Sequence, residues 1–477
     1  MKPNVSKYSF IAILVVLNLT LAFYATPVTD LGDANSYILL SKTFLGKVTN
    51  HNLQSRSPLF SLIMAGFMLI FKAPILYKVM IIFQYMLVAV TSWLVYLLFR
   101  RLFEIKEIAM LVALLFNLSL STIYFANILL TETLSVFLLV LTVFLLLRIA
   151  DCGGVNRVFS LGVLIGLLSL ARFNSVPLII TFVVLLGYLL SKLKISVIKW
   201  LYFLGIFIFS YALILNLWCL YNYQYNGDYR IFPGVGAGIV RSPRNIIIAS
   251  IRPGNKVSEA NKPLLEIFLK AREEYLSKKI QARKGSLANL DKAEILSGLY
   301  SGYPIYKRAL PELKEYYNGL ESTSKAKKRP DLNDFLSEIA AQNTLFIWKY
   351  RFYSLLSGFR ASSPGTLPFK FGSINLNILP SPAFIVYKLL FIFISVFVFF
   401  AFFFFIVSTV KANFKPDFTL LTMFFVVFSF WGINFIFSTV NDANRYKYPA
   451  EPLIIGLFIY YVFELINWIK VRKTHFN

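Results

Sequence analysis

Five carboxylates stand beside apolar runs of the sequence, where a charged side chain is costly to desolvate. A carboxylate in such a place is a functional candidate. It could act as a general base toward an attacking hydroxyl, or it could hold a metal ion. The residues alone leave both roles open. The five are Asp30, Asp33, Glu132, Asp442 and Glu451.

Structural roles for two of these acids are equally consistent with the sequence. Asp33 could cap a short helix in which Tyr37, Leu40 and Phe44 share one face. Glu132 stands at the start of an apolar run, where a negative charge stabilises a helix N-terminus. Neither position therefore proves chemistry by itself.

Three arginines occupy comparable positions beside apolar runs. Arg56 precedes a short apolar stretch, Arg172 separates two apolar stretches, and Arg445 precedes the last one. A guanidinium can hold two phosphate oxygens at once. A single arginine at a membrane edge is often only an anchor that reaches for lipid headgroups. Several arginines that converge from different loops would instead indicate a phosphate site.

Composition defines the class of protein that positions these groups. The chain has 477 residues, of which 57% are hydrophobic and 15% charged, and apolar runs recur along it. Ordinary soluble chains have about 25% charged residues, so we expect a polytopic helical membrane protein. The net charge of +25 is explained by basic residues in cytoplasmic turns and by basic residues that bind lipid phosphates. We therefore do not expect nucleic-acid binding. With only two histidines and two cysteines, we expect no bound metal, although a divalent ion is not excluded by the residues.

Charge alternation predicts the topology. The apolar run 58–71 is short for a span, so we place it at the membrane interface. Basic clusters beside the later spans then mark cytoplasmic turns. These clusters lie at 100–106, 148–157, 192–199, 411–415 and 470–473. Both termini are then cytoplasmic, and about ten spans follow. These are 8–25, 76–99, 107–122, 133–148, 158–171, 176–191, 200–217, 382–409, 418–438 and 452–469.

Two segments on the outer face are long enough to carry function. The first is the loop 26–75, within an N-terminal transmembrane module 1–217. The second is a domain-sized segment, 218–381, followed by C-terminal transmembrane helices over 382–477. We predict that this outer domain is mainly helical, with one helix over 258–284 and another that begins at Asp331.

The order of several short motifs resembles a known family, the bacterial GT-C glycosyltransferases. The resemblance is to the group that includes protein O-mannosyltransferases and lipid A aminoarabinose transferases. It covers most of the chain, and the order of the motifs and their side of the membrane carry it. The motifs are Gly32-Asp33-x-x-x-Tyr37, Arg56-x-Pro58-Leu59-Phe60, Thr131-Glu132-Thr133-Leu134, the Arg172 turn, Trp218-x-x-x-Asn222 with Gly227, and Arg445-Tyr446-x-x-Pro449-x-x-Pro452.

The resemblance implies a fold and a reaction. The fold is an all-α, GT-C-like array of spans with interfacial helices and one mainly helical outer domain. Such enzymes move a hexosyl or pentosyl group from a polyprenyl-phosphate sugar to a hydroxyl of a glycan, lipid or protein, with inversion. The reaction takes place on the outer (periplasmic) face of the bacterial cytoplasmic membrane.

The resemblance also assigns roles to particular residues. Asp33 becomes the catalytic base, with Asp30 and Glu132 as alternatives. The residues expected to bind the donor and its phosphate are Arg56, Arg172, Arg445, Tyr446 and Tyr37.

Three positions depart from the family pattern. An alanine, Ala34, follows Asp33 where the family has a second acid. Ser57 replaces the first proline of a Lys/Arg-Pro-Pro motif, and Tyr221 stands where many members have an arginine. The last change removes one of the family's phosphate contacts.

Other functions would also use basic residues and a lipid phosphate. A flippase for lipid-linked glycans should place charges deep in its spans and show pseudo-symmetric halves. Here the candidate acids collect at one face, and one large segment interrupts the array. A glycan polymerase or ligase with a similar outer domain is a further alternative. The sequence favours the glycosyltransferase.

Overall fold

The structure is a computed structural model, and it is almost entirely helical. The residues that it describes are 5–29, 33–47, 56–193, 195–227, 229–231, 246–283, 302–322, 332–348, 351, 370–371, 374–375, 381–411, 416–437 and 448–476. The chain folds into two compact units. The first comprises 1–237, 359–431 and 445–477, and the second comprises 238–358 and 432–444.

The described α-helices range from 8 to 31 residues in length. In chain order they are α1 Val5–Tyr24, α2 Ala34–Phe44, α3 Pro58–Ile70, α4 Ile75–Phe99, α5 Lys106–Asn117, α6 Leu120–Asn127, α7 Glu132–Cys152, α8 Val155–Ala171, α9 Leu178–Lys192, α10 Val197–Asn226, α11 Lys262–Arg283, α12 Gly302–Ser322, α13 Leu332–Gln342, α14 Ser381–Lys411, α15 Phe418–Phe437 and α16 Glu451–Phe476. Single 3₁₀ turns lie at Phe173–Ser175, Glu259–Asn261 and Tyr448–Ala450. Two short strands, β1 Lys370–Phe371 and β2 Ile374–Asn375, pair antiparallel.

Six helical segments in the described part of the chain are long and apolar enough to cross a membrane, and a seventh candidate is the bent pair α5–α6. Four further apolar helices are shorter, and one of them is α3, at the run 58–71 that we expect at the interface. Each of the ten predicted spans falls on one of these helices. The six are Ile75–Phe99, Glu132–Cys152, Phe173–Lys192, Val197–Tyr225, Val386–Lys411 and Tyr448–Lys470.

Two glycines allow α8 and α10 to pack closely. A Cβ atom at Gly162 would lie 2.0 Å from Ser210 Oγ and 2.3 Å from the Phe207 carbonyl oxygen. A Cβ atom at Gly166, one turn further, would lie 2.7 Å from Ile214 Cβ. Small residues spaced four apart let helix backbones approach, as in other membrane helix pairs. This contact fixes the C-terminal end of α8, where Arg172 stands.

The C-terminal end of α1 is held by a lysine from α4. Lys78 Nζ donates to the carbonyl oxygens of Ala22, Phe23 and Ala25 at 2.6, 2.8 and 2.9 Å. A cation at this end satisfies carbonyls that lack helical partners and complements the helix dipole. The chain therefore leaves α1 in a fixed direction, toward the segment that carries Asp33.

That segment is tied in turn to the connection between α6 and α7. The Val28 N–H donates to the Asn127 carbonyl oxygen at 3.1 Å, and Val28 forms a parallel bridge with Ile128. Tyr85 of α4 donates to Asn127 Oδ1 at 3.0 Å, and Gln84 Nε2 donates to the Ile128 carbonyl oxygen at 2.9 Å. These bonds place the segment that follows α1 beside the start of α7.

The second unit has its own apolar core. The rings of Phe268 in α11 and Phe335 in α13 stack with centroids 5.6 Å apart, and Leu264, Ile305 and Ile339 are buried around them. The predicted helix over 258–284 is confirmed as the 3₁₀ turn followed by α11. A helix also follows position 331 as predicted, although Asp331 itself lies outside the described residues.

Candidate active site

Asp33 and Arg56 form an ion pair at the start of two neighbouring helices. Asp33 Oδ1 lies 2.7 Å from Arg56 Nη2, and the two side chains are 27% and 36% exposed. Asp33 occupies the N-cap position of α2. Among the described residues, its carboxylate makes no capping hydrogen bond to the helix. The structure therefore directs this carboxylate to an arginine and leaves the pair partly open to solvent.

The packing of α2 on α3 holds this pair in place. The rings of Tyr37 and Phe60 meet edge to face with centroids 6.0 Å apart. Ser61 Oγ donates to the Tyr37 carbonyl oxygen at 3.0 Å. Asp33 precedes α2 and Arg56 precedes α3, so these contacts set the distance between them. Tyr37, which we predict to contact the sugar donor, is only 5% exposed. In the structure its side chain packs between α2 and α3.

A second ion pair lies deeper in the same unit. Arg172 Nη1 is 3.6 Å from Glu132 Oε1, and the side chains are 7% and 0% exposed. Glu132 is the first residue of α7, and Arg172 follows the last residue of α8. A buried carboxylate in a helical bundle is retained only with a compensating partner, and this arginine supplies one.

One hydrogen bond connects the segments that carry the two pairs. The Phe173 N–H donates to Ser57 Oγ at 3.3 Å, and this contact is buried. Since Ser57 follows Arg56 and Phe173 follows Arg172, the two arginine-bearing turns are neighbours. An apolar cluster of Leu59, Phe173, Trp218 and others packs around this junction.

Trp218 lies in the C-terminal part of α10. Its indole Nε1 donates to the Ile231 carbonyl oxygen at 2.9 Å, and Asn222 Nδ2 donates to the Arg230 carbonyl oxygen at 2.7 Å. The Trp218-x-x-x-Asn222 motif thus folds residues 229–231 back on the end of α10. The two motif residues turn the chain here, at the edge of the cluster that contains Phe173.

A buried polar group lies beside the start of α7. The Tyr448 ring meets the Phe125 ring with centroids 4.6 Å apart, and both side chains are buried. Glu451, the first residue of α16, is fully buried. Tyr387 and Ser121 share a hydrogen bond of 3.0 Å between their hydroxyl groups. The start of α16 is therefore packed against the same part of the bundle as Glu132.

The structure brings together some of the predicted site residues. Asp33 and Arg56 are in direct contact, and the turn of Arg172 is bonded to the residue after Arg56. Glu132 is fully buried and forms an ion pair with Arg172. Three predicted residues lie outside the described part of the chain: Asp30, Arg445 and Tyr446.

The role of Ser57 is not evident from the sequence. There it is only a departure from a Lys/Arg-Pro-Pro motif. Its hydroxyl accepts the bond from the Phe173 N–H, a role that a proline side chain cannot fill. A polar residue in place of proline beside Arg56 was the available signal.

No group of three or more His, Cys, Asp or Glu side chains that could hold a metal ion occurs among the residues that the structure describes. Asp33 is the single carboxylate of the described ion pair with Arg56. The expectation of no bound metal stays a prediction.

The fold and this arrangement define an all-α polytopic membrane protein. Residues 55–218 match the family model described as dolichyl-phosphate-mannose-protein mannosyltransferase, a family of the GT-C type. The match covers about a third of the chain, and the predicted GT-C-type fold is confirmed. It includes Arg56, Glu132 and Arg172 and begins after Asp33. It also supports the prediction of a membrane glycosyltransferase. No curated protein matches the chain.

Proposed function

We propose that this chain transfers a sugar from a polyprenyl-phosphate carrier to a hydroxyl group of a glycan, lipid or protein. The observation that carries the proposal is the ion pair of Asp33 with Arg56, 2.7 Å apart and partly exposed. One member is a base for a hydroxyl proton, and the other is a ligand for a phosphate. The family match over 55–218 supports a lipid-linked sugar as the donor.

The geometry of the pair suits a phosphate-linked sugar. A guanidinium carries five N–H donors in a plane, so Arg56 can keep one edge on Asp33 and offer another to phosphate oxygens. In a sugar phosphate, C1 is one oxygen atom away from phosphorus. A phosphate on Arg56 therefore brings C1 close to the carboxylate of Asp33. The pair is thus a device for placing the reacting carbon beside the base.

The reaction we propose is a single displacement. The acceptor oxygen attacks C1 as its proton passes to the Asp33 carboxylate, and the bond between C1 and the phosphate oxygen breaks with its electrons going to the phosphate. The arginine offsets the negative charge that develops on the leaving polyprenyl phosphate. Because one attack replaces one bond at C1, the configuration at that carbon inverts.

The buried pair and the last loop complete the proposed site. The turn that carries Arg172 is hydrogen-bonded to Ser57, the residue after Arg56, and Arg172 is our second phosphate candidate. Arg445 and Tyr446 keep the roles that the resemblance implies. We assign the choice of acceptor to the segment 218–381.

The side of the membrane is also part of the proposal. The charge pattern puts the basic turns in the cytoplasm and the Asp33 segment outside. We therefore propose that the protein acts at the outer face of a bacterial cytoplasmic membrane. Labelling of cysteines introduced at position 104 from the inside only would support this orientation, and labelling from the outside would contradict it.

A transfer assay with lipid-linked donors tests the function. Purified protein in liposomes receives a radiolabelled polyprenyl-phosphate mannose, and separately a pentosyl analogue, together with an extract of membrane acceptors. We expect the label to move from the donor to an acceptor product and free polyprenyl phosphate to appear in equal amount. A flippase would move the intact donor between leaflets without breaking the sugar–phosphate bond, and that result would overturn the proposal.

A further inference from the structure

A charged cavity lies near the C-terminal ends of α4 and α7. The cavity has a volume of about 570 Å³ and is lined by Leu97, Arg101, Phe144, Arg148 and Asp151. The N-terminal ends of both helices are at the opposite side, where Lys78 holds α1 and where α7 begins with Glu132. The cavity is therefore separate from the candidate active site.

One carboxylate lies between two guanidinium groups in this cavity. Asp151 Oδ1 is hydrogen-bonded to Arg101, and Asp151 Oδ2 lies 3.9 Å from Arg148 Nη1. Two positive charges against one negative charge leave an excess of one positive charge on the wall. The Arg101, Arg148 and Asp151 side chains are 26%, 54% and 36% exposed, so an incoming anion can reach them.

The cavity lies where two apolar helices end, which is the level at which lipid headgroups are expected. Both α4 and α7 are long and apolar enough to span a membrane, and the charged residues follow or end their apolar stretches. The apolar part of the wall, Leu97 and Phe144, comes from the spans themselves. The Arg148 guanidinium lies 5.9 Å from the centre of the Phe144 ring. A ligand that combines a phosphate with a hydrocarbon chain fits such a wall better than a free anion does.

Neighbouring arginines have a different environment. Arg157 Nη1 donates to the carbonyl oxygens of Gly153 at 2.6 Å and Cys152 at 3.3 Å, at the end of α7. Arg100 Nη1 donates to the carbonyl oxygens of Phe103 and Glu104 at 2.6 and 3.0 Å. These two arginines close backbone turns. Arg101 and Arg148 are instead held on the cavity wall by a side chain that an anion can replace.

We infer that this cavity binds the phosphate of an anionic membrane phospholipid. Basic pockets between transmembrane helices bind such headgroups in other membrane proteins. The lipid phosphate would take N–H donors of Arg101 and Arg148, while its glycerol and first methylenes lie on Leu97 and Phe144. The inference does not depend on the proposed enzymatic function.

Native mass spectrometry of the detergent-purified protein tests the inference. Phosphatidylglycerol and phosphatidylcholine are titrated separately against the wild-type chain, an Arg101→Gln/Arg148→Gln variant and an Arg157→Gln control. We expect saturable binding of phosphatidylglycerol that is at least about tenfold weaker in the double variant, as for a lost charge-assisted contact. The Arg157→Gln control should bind as the wild type does. Equal binding of phosphatidylcholine, or an equal loss in the control, would overturn the inference.

An Asp151→Asn variant separates binding from mere structure. If Asp151 competes with the lipid phosphate, its removal should raise the affinity for phosphatidylglycerol severalfold. If the three charges serve only to hold α4 and α7 together, Asp151→Asn should lower the melting temperature and leave lipid binding unchanged or weaker. Inorganic phosphate is added as a competitor in the same titration. Displacement of the lipid by millimolar phosphate would show a site for soluble anions and would also overturn the inference.

Discussion

The carboxylate of Asp33 and the guanidinium of Arg56 meet at 2.7 Å, although each belongs to a different helix start. Either residue could have been explained locally, Asp33 as a helix cap and Arg56 as a lipid anchor. The pair instead joins a base and a phosphate ligand at a partly exposed position. This relationship turns two separate sequence candidates into one site.

Replacing Asp33 by asparagine should abolish most of the transfer activity. Asparagine has nearly the same size but cannot accept the acceptor's proton, and loss of a general base costs about 10²- to 10⁴-fold in rate. We expect the turnover number to fall by about 10²-fold or more while donor binding changes little. Steady-state kinetics with a lipid-linked donor measure both quantities.

Asp417→Asn is the matched control for that experiment. Asp417 Oδ1 accepts the Leu420 N–H at 2.9 Å at the start of α15, and asparagine caps helices equally well. Its activity should be close to wild type. Normal turnover by a folded Asp33→Asn protein would move the role of the base to Asp30 or Glu132.

Replacing Arg56 by lysine should weaken use of the donor although the charge is kept. An ammonium cannot hold Asp33 and a phosphate in one plane as a guanidinium does. A charge-assisted contact is worth roughly 1.5–3 kcal/mol, or about 10- to 150-fold in kcat/KM. An anchoring role predicts that lysine is tolerated, because it reaches the interface equally well. The ratio of kcat/KM for Arg56→Lys and wild type decides between the two roles.

The sequence was sufficient for the helices and for naming both members of the exposed ion pair. Apolar runs and basic turns placed the spans, since those patterns follow directly from membrane physics. Arg56 and Asp33 could be named as candidates because each stands at the edge of an apolar run. Their direct contact could not be foreseen, because it depends on how α2 packs on α3.

The pairing of Arg172 with Glu132 could also not be predicted from the sequence. The sequence suggests Arg172 as a phosphate ligand and Glu132 as an alternative base. A single sequence does not show that the end of α8 meets the start of α7, because that contact depends on the tertiary packing of the helices. The hydrogen bond from Phe173 to Ser57 has the same origin. Contacts between polar groups that are far apart in the sequence can be seen only in the tertiary structure.

Gly162 should be intolerant of any side chain. A Cβ atom there would lie 2.3 Å from the Phe207 carbonyl oxygen, which belongs to the backbone and cannot turn away. We expect Gly162→Ala to destabilise the protein by about 1–3 kcal/mol, as overpacking does elsewhere. Thermal unfolding in detergent measures the effect.

Gly205→Ala is the corresponding control within α10. No described atom lies within 4 Å of the Cβ position at Gly205, so alanine should be neutral or stabilising there. If both variants melt alike, the close approach of α8 and α10 is not what the glycine at 162 provides.

Glu338 should make the second unit sensitive to acid. Partial burial raises the pKa of Glu338, but hydrogen bonds from the Ser258 N–H at 2.9 Å and Asn261 Nδ2 at 3.1 Å more than offset this, so the pKa lies below its usual value. A carboxyl whose pKa is lowered by folding contributes stability above its unfolded pKa and loses it as the pH falls through the folded pKa.

Glu338→Gln tests this dependence. Because the side chain is only partly buried and solvent screens its charge, the contribution should be below about 1 kcal/mol. The variant should be less stable than wild type at pH 7, and the difference should vanish below the folded pKa. A difference that is constant from pH 7 to pH 3 would show that charge on Glu338 is not its cause.

The Glu132–Arg172 pair should be a unit whose halves cannot be removed separately. Both side chains are buried, so Glu132→Gln leaves a guanidinium without its carboxylate in a poorly solvated place, and Arg172→Gln does the reverse. Breaking one half of a buried pair costs about 3–5 kcal/mol. The double variant should be less destabilised than the two single variants added together, because it removes both charges. Unfolding of the four proteins in detergent gives this coupling directly.

If Glu132 were instead the catalytic base, Glu132→Gln would lose turnover while its stability stayed within about 1 kcal/mol of wild type. Measuring stability and turnover on the same samples therefore separates a positioning role from a catalytic one.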